Sequence, residues 1–336
     1  MPKMRAAQIS KPGGPFEIVE REVPEPGPSQ IRIKVEACGV CHSDAFVKSG
    51  AFPGLSLPRV PGHEIAGTVD RVGAGVTAWK PGDQVGVGWH GGHCFQCRPC
   101  RKGQFIGCEK GRITGISHDG GYAEYVVVPS ESVARMPKGL TSVEAGPLLC
   151  AGITTYNALR NSGARPGDTV AVQGIGGLGH LAIQFAARMG FRTVAVSRGA
   201  DKEELARALG AHEYIDTTRV SAAEGLQKLG RADLVLATAP NSEAISSTVD
   251  GLNARGKLLI VAAPFDPLKV SAFALLSGKT IAGWPSGSSI DSEETMAFAA
   301  LVGVKPRVEL FKLEQAEQAL ASVMENRVRF RAVLTP

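Results

Sequence analysis

The sequence predicts an α/β protein of two domains, one rich in strands and loops, the other a doubly wound parallel sheet. Three observations carry this. Residues 1 to about 145 hold short β-branched stretches broken by Pro and Gly, with no long helical period before Ser142. From about residue 150, apolar strands alternate with helical stretches, as in a parallel sheet. Between the first such strand and its helix lies a glycine loop, Gly174-Ile175-Gly176-Gly177-Leu178-Gly179. A chain of 336 residues, 43% hydrophobic, is long enough to fill two cores.

In chain order, residues 31–35 alternate apolar and charged side chains, as a half-buried strand does. Residues 65–72 and 122–128 are apolar and β-branched, and Pro81-Gly82-Asp83 makes a turn before a strand at 84–87. In the second domain the expected strands are 169–173, 193–196, 234–237 and 258–261. Helices are expected at 178–189 and at 203–209, the latter stopped by Gly210. After about residue 285 two helices (293–302 and 313–326) and a final strand (331–334) are expected to pack back on the first domain. The domains therefore read as 1–149 with 286–336, and 150–285.

Charge excludes some functions. Basic and acidic residues number 37 and 32, a net charge of +5, and they are interspersed. Nucleic acid is disfavoured, because no basic run or arginine-rich tail concentrates that excess. No stretch approaches about 18 consecutive apolar residues, so no membrane helix is expected. The N-terminus, Met1-Pro2-Lys3-Met4-Arg5, lacks the apolar core of a signal peptide, which points to the cytoplasm. There thiols stay reduced, and clustered cysteines hold metal more often than disulfides.

Of the seven cysteines, four form Cys94-x2-Cys97-x2-Cys100-x7-Cys108. Four thiolates at this spacing can surround one Zn²⁺, and a closed four-cysteine site is structural. Two disulfides and an iron–sulfur cluster are the alternatives; the final spacing and the lack of a following Cys-Pro disfavour the cluster. Gly174, Gly176, Gly177, Leu178 and Gly179 sit where a strand meets a helix. There glycines let the backbone approach a dinucleotide pyrophosphate, the arrangement of a Rossmann domain. An acid usually follows about 20 residues on, to hold the adenosine ribose. This chain has Ser197-Arg198 instead. Ser and Arg would hydrogen-bond and neutralise a 2′-phosphate, which favours NADP(H); with Arg198 merely stacked on adenine, NAD(H) remains possible.

Two thiols, an imidazole, a hydroxyl and a carboxylate crowd into Cys38-Gly39-Val40-Cys41-His42-Ser43-Asp44. Cys41, with His63 of Gly62-His63-Glu64 and Cys150 of Leu149-Cys150-Ala151-Gly152, would supply three zinc ligands and leave one position open, the catalytic pattern, but spacing alone does not assemble them, and singly His63 and Cys150 read more often as core residues. These motifs, with the cysteine lobe and the glycine loop, are similar to those of the zinc-dependent alcohol dehydrogenases of the medium-chain dehydrogenase/reductase family. The resemblance runs from about residue 5 to the C-terminus.

The resemblance implies a GroES-like catalytic domain beside the Rossmann domain. It implies Cys41, His63 and Cys150 as catalytic zinc ligands and Cys94, Cys97, Cys100 and Cys108 as the structural set, hence two zinc ions per chain. It makes Glu64 a carboxylate assisting ligand exchange, Asp44 the acid orienting the ligand imidazole, and Ser43 the hydroxyl that takes the substrate's proton. His42 and Arg331 correspond to pyrophosphate contacts, Lys202 to a lysine near the adenosine ribose, Thr154 to a neighbour of the nicotinamide, and Val261 to backbone meeting its carboxamide. Phe46 stands where related enzymes often end the proton relay in histidine. Cys38 matches no ligand position and reads as a small packed residue. Phe46, Phe52, Trp89 and Trp284 could line an apolar pocket for primary alcohols and aldehydes, aliphatic or aromatic. Cys150 disfavours the polyol enzymes, which use Glu there, and the presence of zinc ligands disfavours quinone reductases; cinnamyl-type reductases remain close. A non-catalytic dinucleotide-binding relative should have lost a ligand or the shuttling hydroxyl, and this chain keeps all of them. The short loop after the cysteine lobe is similar to that of tetrameric members.

Overall fold

In the computed structural model, which describes residues 2–336, the chain divides into two units. One comprises the chain up to Ile153 together with Gly287–Pro336; the other is Thr154–Ser286. The first unit reaches Ile153 rather than Leu149, because the turn carrying Cys150 packs on the helix Ser289–Val302 of the same unit.

The first unit is built on an 11-residue strand, Gln30–Val40. Ile31, Ile33 and Val35 point into the core while Arg32 and Lys34 do not, the alternation read from sequence. From Ala37 to Val40 every residue is buried, so both faces are covered and the alternation stops. One edge pairs antiparallel with Ile65–Val72. The other pairs first with Tyr125–Pro129 and then, from Cys38 to Val40, with the C-terminal strand Arg331–Thr335. The last strand of the chain thereby lies beside the segment that leads into Cys41. Gln84–Val87, Val133–Arg135 and Val308–Lys312 complete the sheet. A separate antiparallel pair, Lys3–Gln8 with Glu17–Glu22, precedes it.

Ser142–Pro147 is a helix closed at its start by a reciprocal pair in which Thr141 and Glu144 bond each other's backbone N–H. It runs on through Leu148–Gly152, one wide π-helical turn, and regains α geometry at Ile153–Arg160. Cys150 sits in the middle of that wide turn.

The second unit is a six-stranded, wholly parallel sheet. Its order is Glu213–Asp216, Arg192–Ser197, Thr169–Gln173, Ala232–Ala237, Leu252–Ile260, Thr280–Gly283. This is the 3-2-1-4-5-6 order of a doubly wound dinucleotide fold, with its switch point beside Thr169–Gln173. Val194, Val196, Leu226, Val235 and Leu258 fill the core between sheet and helices.

Some boundaries differ from the sequence reading. The helix expected at 293–302 begins at Ser289, where Ser288 and Asp291 cap it. The one expected at 313–326 is a 3₁₀ turn, Leu313–Gln315, followed by Ala316–Met324, and it stops before Asn326, which has φ +54°.

Candidate active site and metal centres

Gln30–Val40 delivers Cys41 at its end, and the chain turns at once into the short helix Asp44–Ser49. Gly62-His63-Glu64 precedes Ile65–Val72 on the neighbouring strand, and the π turn brings in Cys150. Cys41, His63, Glu64 and Cys150 each present a ligand atom, and these atoms lie within 4.8 Å of one another. The sulfurs of Cys41 and Cys150 are 3.8 Å apart. Two thiolates about 2.3 Å from one tetrahedral zinc stand about 3.8 Å apart, so the pair fits that ion. One buried carboxylate oxygen of Glu64 has no hydrogen-bond partner, as expected of a group beside a cation.

The groups around this cluster set its charge. Hydrogen bonding to Cys150, with help from His63 and Arg331 and against burial, holds the Cys41 thiol well below its usual range. Cys150 is raised as its thiol partner. Burial, with the Cys41 charge adding and Arg331 opposing, lifts Glu64 to about 7. Arg331 is 3% exposed; its Nη2 donates to Glu64 and, at 3.2 Å, to the Val40 carbonyl. The guanidinium expected to meet a pyrophosphate thus lies against the carboxylate of the cluster.

His63 is oriented from behind. Its Nδ1 stands 3.4 Å from an Asp44 oxygen, leaving Nε2 on the side of Ser43, whose Oγ is 3.4 Å away. The other Asp44 oxygen accepts from the Cys41 backbone N–H and from the Tyr122 hydroxyl, both at 2.9 Å. Sequence reasoning missed Tyr122, because at the head of an apolar stretch its aromatic ring reads as core. Trp89 meets the His63 ring edge-on at 4.9 Å and Phe52 lies 5.8 Å from Trp89, so both stand beside the cluster. Phe46 is 39% exposed, on the helix that follows Ser43, and His42 is exposed.

The second cluster is Cys94, Cys97, Cys100 and Cys108, again within 4.8 Å, with Cys97 and Cys108 sulfurs 3.8 Å apart. All seven cysteines are free thiols, which removes the disulfide alternative. The backbone N–H groups of Cys94 and Lys110 donate to the Cys108 sulfur, and that of Cys97 to Cys94. Donors of this kind stabilise thiolate; those of Gln96 and Cys97 bring Cys94 down to about 6. Burial, with Cys97 and Cys108, pushes Cys100 up to about 12. His93 anchors the loop, its ring 4.2 Å from Phe95 and 4.1 Å from Phe105.

Comparison with known proteins decides the family. Residues 27–138 match the family model of the alcohol dehydrogenase GroES-like domain, and 177–301 that of the zinc-binding dehydrogenases. The chain belongs to the zinc-type alcohol dehydrogenases of the medium-chain dehydrogenase/reductase family. It is similar to alcohol dehydrogenase patD of Penicillium expansum, 46% identical over 98% of this chain and 97% of that one. Among solved structures it is similar to an NAD-dependent alcohol dehydrogenase (30% identity, 99% of both chains, TM-score 0.91). It is also similar to a Helicobacter pylori CAD complexed with NADP(H), at 27% identity, TM-score 0.88, over 99% of this chain and 98% of that one. As a zinc-type alcohol dehydrogenase, the protein is an oxidoreductase that uses zinc and a nicotinamide cofactor.

In the Rossmann unit of this dehydrogenase the glycine loop follows Thr169–Gln173 and opens the helix Gly179–Arg188. Gly174 has φ +94°, and a Cβ on Gly179 would stand 2.0 Å from the Gly174 carbonyl, so both positions need glycine. Nothing lies within 4 Å of a Cβ built on Gly176, between Gly174 and Gly177-Leu178. Ser197 ends the next strand, Arg198 and Gly199 turn, and Lys202 closes the following 3₁₀ turn. The turn is clamped: Gly199 N–H donates to Asp216 at 2.9 Å and the Tyr214 hydroxyl donates to the Gly199 carbonyl. Val261 donates its N–H to Ala237 at the strand ends, Trp284 donates its own to Ile260, and Thr154 lies at the start of this unit.

Proposed function

We propose that this enzyme interconverts primary alcohols and aldehydes, aliphatic or aromatic, with NADP(H) as its preferred nicotinamide. The supporting observation is the end of the second parallel strand. Ser197 and Arg198 are the side chains there, and the Asp216 carboxylate on the neighbouring strand is engaged through one oxygen by the N–H of Gly199 and by Thr218. A 2′-phosphate would meet a hydroxyl and a guanidinium. Asp216, paired in register with Ser197, is also the observation that favours a second reading, an NAD-linked enzyme. Steady-state kinetics with both cofactors over a panel of alcohols and aldehydes decides. The proposal expects kcat/KM at least tenfold higher with NADP(H), and a tenfold preference for NAD(H) overturns it.

Cys41, His63 and Cys150 would hold the catalytic zinc, and the four-cysteine lobe the structural one. Zinc bound by the first set supplies a Lewis acid that acidifies a substrate hydroxyl or polarises a carbonyl, and the nicotinamide supplies the hydride acceptor or donor. The chain's own residues do the rest. Ser43 Oγ, on the Nε2 side of His63, takes the substrate's proton. Phe46 carries no proton, so the relay passes from Ser43 to water or to a cofactor hydroxyl. Asp44 holds the imidazole in one orientation. Glu64, paired with Arg331 and raised to about 7, adjusts the total charge beside the ligands by gaining or losing its proton. Trp89 and Phe52 present an apolar wall that excludes water. His42, Thr154, Lys202, Val261 and Arg331 are proposed cofactor contacts. The reading extends to a cytoplasmic homotetramer, which light scattering of the purified protein tests.

A further inference from the structure

We infer that Tyr122 is a positioning residue for the catalytic zinc site, acting through Asp44 on His63. The inference rests on reading Cys41, His63 and Cys150 as that site.

The three side chains form one buried line: Tyr122, Asp44 and His63 are 0%, 1% and 2% exposed. The Tyr122 hydroxyl donates to Asp44 Oδ2 at 2.9 Å, and the Cys41 backbone N–H donates to the same oxygen at 2.9 Å. Two donors on one oxygen fix the carboxylate's rotation. Its other oxygen, Oδ1, has no hydrogen-bond partner of its own and stands 3.4 Å from His63 Nδ1. With Tyr122 removed, a single N–H would hold the carboxylate, and it could turn about Cβ–Cγ away from the imidazole.

The ring is fixed as firmly as the hydroxyl. Tyr122 N–H donates to the Pro61 carbonyl, and its own carbonyl accepts from Ala7. Its Cδ1 would lie 2.5 Å from a Cβ on Gly62, so the ring runs directly under the turn that presents His63. Phe16 closes the other side at 5.7 Å. Burial and the neighbouring Asp44 keep the phenol protonated and therefore a donor. The phenol thus ties together the start of the Asp44 helix, the His63 turn and the strand that follows it, and it touches neither substrate nor metal.

The test strips the purified enzyme of metal and measures zinc rebinding against a chelator for wild type, Tyr122→Phe, Asp44→Asn and the double variant, alongside kcat and KM. Wild type must first show two zinc ions, one of them lost in Cys41→Ser; failure there sinks the zinc-site reading itself. Given that, Tyr122→Phe should weaken the Cys41-dependent zinc by about 10-fold or more. The other zinc should be unchanged, and kcat should fall with KM little altered. The double variant should bind no more weakly than Asp44→Asn alone, because both changes break one chain. Zinc affinity equal to wild type in Tyr122→Phe overturns the inference, as do fully additive losses. Should Tyr122→Phe not fold, Tyr122→Met, which fills the ring's space with a flexible apolar chain, is read against the same outcomes.

Discussion

The carboxylate of Glu64 lies on Gly39: a Cβ at that glycine would stand 1.8 Å from Oε2. Gly39 N–H also donates to the Glu64 backbone carbonyl at 3.0 Å. The central strand is therefore pared to bare backbone where the buried acid beside Cys41, His63 and Cys150 must fit. Gly39→Ala should push Glu64 off Arg331 and crowd the cluster, costing about 1–3 kcal/mol of stability and at least tenfold in kcat. Urea unfolding and steady-state kinetics measure both; an alanine variant with wild-type values would show that the carboxylate need not lie there.

Cofactor choice should respond to one charge. Ser197→Asp places a carboxylate where a 2′-phosphate would sit, so NADP(H) should weaken roughly tenfold or more, about 1.4 kcal/mol, while NAD(H) changes little or improves. Cofactor dissociation constants from fluorescence titration provide the check. Equal losses for both cofactors would remove Ser197 as the discriminator.

Acid should find a weak point beside the cysteine lobe. Burial, with His93 adding and Asp291 opposing, lowers His90 to about 4 from an ordinary 6.5. A histidine lowered in this way binds its proton more readily when unfolded. Its contribution is complete above about pH 6.5 and is lost as pH falls toward 4, with a ceiling of about 3 kcal/mol. His90→Asn should therefore lose less stability than wild type between pH 7 and pH 5. Urea midpoints at the two pH values give the comparison, in which zinc loss common to both proteins cancels; parallel losses would show that His90 is not the group responsible.

Much of this is legible in the sequence. Glycines between a strand and a helix need no partner to be read, because the turn's geometry is local. The cysteine lobe is likewise closed within 15 residues of chain, from Cys94 to Cys108. The central strand was legible only to Val35. Beyond it both faces are buried, and a pattern with no polar side carries no period. Cys150 could be assigned only by resemblance, since the π turn that presents it leaves no mark in the hydrophobic pattern. Tyr122 was hidden for a different reason: a phenol reads as core until its hydroxyl's partner, 78 positions away in sequence, is known. Arg331 shows a related case: its pairing with Glu64 comes from the last strand lying beside Cys38–Val40, a long-range pairing that no local pattern announces.

The central claim is that Cys41, His63 and Cys150 form a zinc site distinct from the four-cysteine lobe and needed for turnover. Metal analysis of purified wild type and Cys41→Ser, with alcohol oxidation followed by nicotinamide absorbance, tests it most directly. The account predicts about two zinc ions per wild-type chain and about one in Cys41→Ser, which stays folded and loses turnover. A Cys41→Ser protein that keeps both zinc ions, or that still oxidises alcohols at the wild-type rate, would contradict it.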